Sequence, residues 1–178
     1  ILDRISNMKN YIETILSFLS EIKIAYEMTD IKNKTLLPGL FIQNGILQID
    51  INKLKYPGDI LHEAGHIAVC EPIFRDRLTG DVYKHGLSIK REPQAMHGEE
   101  IAATAWSVAA VKYLGLPIEL IFHDKSYKGS AQNLFDLFEN GGLFGQPLLH
   151  AWDMTCPNAG FPIMRAWIRK TRWINSLS

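Results

Sequence analysis

The sequence predicts a single α+β domain, mostly helical, with a small β-hairpin beside one chemically marked helix. Three observations predict it. Apolar residues recur at helical spacing through the first stretch of the chain, an Asn44-Gly45 pair separates two short apolar runs, and an alanine-rich apolar segment follows further on. The chain of 178 residues is 47% hydrophobic, enough for one compact core. It divides into a scaffold helix within residues 1–36, a central part spanning 40–114, and a helical and irregular part spanning 115–178.

Residues 1 to about 28 are expected to form one amphipathic helix, with Ile1, Ile5, Met8, Ile12, Ile15, Leu19 and Ile22 on one face. Such a stripe serves a core-packing scaffold better than a partner-binding helix. Thr29 to Pro38 is a polar connection. Leu40 to Asp50 then forms a hairpin turning at Asn44-Gly45, and its edge strand is positioned to pair with an extended peptide. Pro57-Gly58-Asp59 starts the next helix, with Asp59 as its N-cap. Ile60, Ala64, Ile67 and Ala68, with Leu61 close by, form a buried stripe that ends near Glu71-Pro72. Gly65 in the middle of that helix costs about 1 kcal/mol against Ala, which suggests that another backbone approaches there.

Residues 72–96 are irregular, with a turn at Thr79-Gly80-Asp81 and a short strand expected at His85–Ile89. His97 to Leu114 is apolar nearly all round, as a central, closely packed helix is, and Gly115 and Pro117 stop it. A helical piece follows over 117–123, then a helix from Ser130, its N-cap, to about Glu139. A final helix is expected over 163–174, with Arg165, Arg169, Lys170 and Arg172 on a solvated face and Trp167 and Trp173 between them.

Lys plus Arg equals Asp plus Glu at 19 each, which gives no reason to expect nucleic acid or an anionic membrane as principal partner. No apolar run reaches the roughly 18 residues that span a bilayer. The two cysteines, Cys70 and Cys156, lack a C-x-x-C pattern. Free thiols in a reducing, cytoplasmic setting are the plainest expectation, with a Cys70–Cys156 bridge or a Cys-His nucleophile pair as the other options. The chain opens at Ile1 rather than at a methionine, which leaves room for an upstream segment.

The marked helix carries His62-Glu63-Ala64-Gly65-His66, an H-E-x-x-H pattern. Residues four apart share a helix face, so His62 and His66 can point imidazole nitrogens at one metal ion. Glu63 falls about 100° round the helix from His62, where it can take a proton from a metal-bound water. A catalytic zinc site commonly uses three protein ligands and a water. The third ligand of an H-E-x-x-H-x-x-G-x-x-H site is absent, because Val69 and Pro72 occupy the extra positions, and Met154 does not make a Met-turn. Glu99 and Glu100, at the start of the alanine-rich helix, are the alternatives; acidic residues also suit a first turn for reasons of the helix dipole.

His62-Glu63-Ala64-Gly65-His66 followed by Glu100-Ile101-Ala102-Ala103-Thr104 resembles gluzincin-type zinc metallopeptidases with H-E-x-G-H and later E-x-x-A motifs. The nearest form is that of the bacterial ImmA/IrrE-like peptidases, with E-x-x-A-D families as a second comparison. The resemblance covers residues 40–114. It implies a zincin-like fold, one Zn2+ per chain held by His62, His66 and Glu100, Glu63 as general base, and a peptide or protein as substrate. Glu99 is the alternative third ligand. Thr104 stands where those families usually carry Asp or Asn to support the first histidine. Zinc would lower the pKa of its water towards 7, and an oxyanion donor is also needed, with His123 and Tyr127 ahead of His85, His97 and His150. The competing reading is a zinc-binding regulatory or interaction module without peptidase activity.

Overall fold

The computed structural model describes residues 2–124 and 126–172. Helix α1 spans Leu2–Glu21. It ends seven residues short of the expected 28 because Lys23 turns into the left-handed region at φ 66° and Ile24 N–H reaches back to the Leu19 carbonyl at 3.0 Å. The chain then runs straight into a strand the helical pattern had masked, β1 (Tyr26–Met28).

The hairpin forms as expected. Strands β2 (Leu40–Gln43) and β3 (Ile46–Ile49) pair antiparallel with Gln43 opposite Ile46, and both turn residues, Asn44 and Gly45, have positive φ. β1 joins β3 in parallel, so the mixed sheet has the order β1-β3-β2. Leu40, Ile42, Leu47 and Ile49 are buried on one side, where Ile12, Ile15, Phe18 and Leu19 of α1 belong to the same core. The outer edge of β2 is partly taken: Gly80 N–H donates to the Ile42 carbonyl at 2.7 Å and Gly45 N–H to the Leu78 carbonyl at 3.0 Å. This limits the edge that an added peptide strand would need.

Helix α2 (Gly58–Val69) carries the histidines and is buried along most of its length. Its N-cap is Pro57, not Asp59, which lies inside the first turn and directs its carboxylate elsewhere. Gly58 is required by packing, since a Cβ there would run into the Leu120 carbonyl. Short helix α3 (Pro72–Arg75) follows, and α4 (Val82–Ser88) replaces the strand expected at His85–Ile89. Asp81 caps α4 by accepting from Lys84 N–H at 3.0 Å, a local signal that favours helix over strand.

Helix α5 (Pro93–Tyr113) begins four residues before the expected start, with Pro93 in its first turn. Its residues Ala102 to Val111 are wholly buried, and it crosses α2 closely. At the crossing, Ser107 Oγ lies 3.2 Å from the Leu61 carbonyl and 2.8 Å from that of Ala103. Gly65 faces this contact: a Cβ there would stand 2.9 Å from the Ala103 carbonyl oxygen, so the close backbone approach expected at this glycine is present. A 3-10 turn at Ile118–Leu120 stands for the helical piece expected over 117–123, and α6 (Ala131–Glu139) and α7 (Gln146–Ala151) complete the helices. Ser130 precedes α6 as expected but makes no side-chain cap bond.

The helix expected over 163–174 is not formed across 163–172; Trp173 and Ile174 lie outside the described residues. The backbone instead packs in an irregular path against α2 and α5. Trp167 stands edge-on to Phe18 and Trp106, and its carbonyl accepts from the Trp106 indole N–H at 2.9 Å. Arg169, expected on a solvated face, is fully buried, with its guanidinium 3.9 Å above the Trp152 ring.

The reason lies at the end of α2, whose last carbonyls have no partners within the helix. Arg75 Nε donates to Ile67 O at 3.0 Å and Nη2 to Cys70 O at 3.0 Å. Arg169 supplies its backbone N–H to Ala68 O at 2.9 Å and Nη1 to Val69 O at 3.1 Å. Two arginines thus close the last turn of the histidine-bearing helix. Cys70 and Cys156 are both free thiols, and burial pushes the Cys70 thiol up to about 12. No helix among the described residues is long and apolar enough to cross a membrane.

Candidate metal centre

The crossing of α2 and α5 brings His62, His66 and Glu100 together. Their ligand-type atoms all lie within 4.8 Å of one another, the one such group among the described residues. His62 and His66 are one helical turn apart with Nε2 atoms separated by 3.2 Å, and the rings stand nearly perpendicular at 81°. From α5, Glu100 places one carboxylate oxygen 3.7 Å from His62 Nε2 and the other 3.3 Å from His66 Nε2. Zinc–nitrogen and zinc–oxygen bonds of about 2.0–2.2 Å at tetrahedral angles would set donor atoms roughly 3.3–3.5 Å apart. The donor set and its spacing therefore fit that ion.

The electrostatics agree with ligand chemistry. Burial lowers both imidazoles to about 4, aided for His62 by its neighbour His66, so both rings are neutral at pH 7 with a lone pair to offer. Burial, with repulsion from Glu100, Asp59 and Asp81, raises the Glu63 carboxyl to about 8. A bound cation would act against that repulsion.

Glu99 has a different task. It is buried, and its carboxylate accepts from Arg91 Nη2 at 2.7 Å, from Glu71 N–H at 2.9 Å and from Arg169 Nη1 at 3.3 Å. This accounts for the adjacent acidic pair: one carboxylate ties α5 to the end of α2, and the other, half-exposed, faces the histidines. Neither lies in the first turn, because α5 starts at Pro93, so the dipole explanation no longer applies to them.

The remaining expected residues separate. Tyr127 comes to the back of His62, its hydroxyl 3.2 Å from Nδ1, the nitrogen turned away from His66 and Glu100. His123 pairs with Asp59, Nε2 to Oδ1 at 2.9 Å, and stacks on Tyr56 with ring centroids 3.7 Å apart. Burial raises the Asp59 carboxyl above its usual value while His123 pulls against that rise. Asp59 precedes Glu63 by one helical turn, which sets this pair at the flank of Glu63. His85, His97 and His150 take no part in the cluster; His97 is exposed on α5, and His150 lies 3.2 Å from Thr155 Oγ1 on another face. Sequence reasoning missed Asp59 as a histidine partner, since sixty-four residues separate the two and only the fold joins them.

Comparison of the chain with protein-family profiles, with curated protein sequences and with solved structures finds no match.

Proposed function

We propose that this protein is a zinc-dependent peptidase whose metal is held by His62, His66 and Glu100, with Glu63 as general base. The observation that carries the reading is the convergence of two neutral imidazoles and one carboxylate at zinc-ligand spacing, with a second carboxyl on the same helix beside them. A zinc ion bound there would supply a Lewis acid that polarises a substrate carbonyl and acidifies a water. Glu63 accepts the proton of the attacking water and returns it to the leaving amine of the peptide. His62 and His66 stay neutral and hold position, and Glu100 contributes the negative charge. With Tyr127 engaged behind His62, His123 is the stronger of the two expected donors for the tetrahedral oxyanion, since Asp59 and Tyr56 fix its ring.

Metal content and peptide cleavage by wild type and Glu63→Gln test the proposal together. One zinc per chain in both proteins, with cleavage lost only in the variant, is the expected result. Zinc in both and cleavage in neither would favour a binding module, and absence of zinc from both would overturn the metal reading.

A further inference from the structure

A metal-ligating histidine is normally fixed through its second ring nitrogen, commonly by a carboxylate or a carbonyl. The residue one turn beyond Glu100 on α5 is Thr104, which has no carboxylate to offer, and its hydroxyl donates to the Glu100 carbonyl at 3.3 Å. The support for His62 comes from a different part of the chain. Tyr127 sits in the 3-10 turn Tyr127–Gly129 with φ 51°, a left-handed backbone unusual for a bulky residue. From there its ring packs on Phe122 at 5.4 Å and edge-on to His62 at 5.5 Å, and its hydroxyl lies 3.2 Å from His62 Nδ1.

A neutral imidazole carries one N–H, and the contact with Tyr127 gives it a place. The Glu100 carbonyl can only accept, so the Thr104 hydroxyl donates within its own helix. The Tyr127 oxygen, on the far side of the His62 ring, can accept from Nδ1–H. Such a bond leaves His62 Nε2 unprotonated, with its lone pair directed at the space shared with His66 and Glu100.

We propose that Tyr127 is a positioning residue whose hydroxyl, set against Nδ1, locks His62 in the Nδ1–H tautomer with Nε2 free to bind metal. The proposal deepens the zinc reading and rests on it for its purpose, but the tautomer can be observed without any metal. Long-range 15N–1H correlation spectra of the metal-free protein should show His62 with a proton on Nδ1. Tyr127→Phe, which keeps the ring and removes only the hydroxyl, should move His62 into a mixture of tautomers. It should also weaken zinc, measured by competition with a chromophoric chelator, by about 10–100-fold. A wild-type His62 protonated on Nε2 would overturn the inference outright, whether or not the variant folds. So would an unchanged tautomer in Tyr127→Phe. If wild type binds no zinc yet shows the Nδ1–H tautomer that the variant loses, the positioning stands and the peptidase proposal fails.

Discussion

Replacing Gly65 by Ala sets two opposing effects against each other at one atom. In a free helix the change would stabilise by about 1 kcal/mol. In this protein the new Cβ would stand 2.9 Å from the Ala103 carbonyl oxygen and 3.3 Å from Ser107 Oγ, where ordinary contact begins at 3.4 Å. The shortfall against Ala103 is about 0.5 Å, and it falls on backbone, which cannot rotate aside as a side chain does. The helices α2 and α5 must separate, and overpacking of this kind costs about 1–3 kcal/mol. The net expectation is a loss of about 1 kcal/mol, read as a lower urea midpoint at unchanged slope. The same displacement moves His62 and His66 away from Glu100, and about 0.5 Å exceeds the roughly 0.2 Å that metal–ligand distances tolerate. Zinc affinity should therefore fall by more than tenfold while the fold persists. A variant that gains the full helix-propensity increment and binds zinc like wild type would refute the reasoning, because it would mean that the two helices do not rest on each other at this residue.

Exchanging the neighbouring carboxylates should separate stability from binding. Glu99→Gln leaves Arg91 and Arg169 buried without their anion and should destabilise by about 3–5 kcal/mol in thermal or denaturant unfolding; Glu100→Gln, half-exposed, should change stability little and abolish tight zinc binding. The metal-free protein should be most stable near pH 6.5 as far as His62, His66 and Glu63 decide. Below 6.5 the unfolded histidines take up protons that the folded rings refuse until about pH 4, so stability falls as pH drops, with a ceiling on the order of 3 kcal/mol per ring. Towards pH 8 the folded Glu63 resists an ionisation already complete in the unfolded chain, so stability falls again; Glu63→Gln should remove that alkaline limb in urea titrations across pH, and its persistence would reject the assignment. His123→Gln should lower kcat of peptide cleavage by 10-fold or more with zinc content unchanged, whereas an unaltered kcat would remove His123 from the site.

What the sequence made legible was local. The hairpin is written in Asn44-Gly45, and the histidine pair in a helical spacing that the neighbouring apolar stripe supports. Gly65 announced a close approach because a glycine in mid-helix has a cost that something must offset. Failures came where distant residues decide. Ile22 to Met28 continues the helical pattern of α1, but Lys23 breaks it and the sheet takes the residues beyond. The basic, tryptophan-bearing segment after Pro162 resembles an amphipathic helix in its letters. Its backbone is instead committed to the Ala68 carbonyl and its Trp167 to Phe18 and Trp106, pairings that no window of neighbouring residues reveals. Why Glu99 turns from the histidines while Glu100 faces them is also a long-range matter, since Arg91 and Arg169 are charges with no sequence spacing to announce them.

The last turn of α2 depends on a residue a hundred positions further along, since Val69 O is bonded by Arg169. During synthesis the histidine-bearing helix emerges long before the arginine that closes it exists, and its terminal carbonyls must meanwhile be hydrated. Arg169 also reaches Glu99, which sits next to Glu100. The birth order of the chain thus places the final alignment of that helix after the emergence of Arg169, a hundred residues later than the carbonyl it closes.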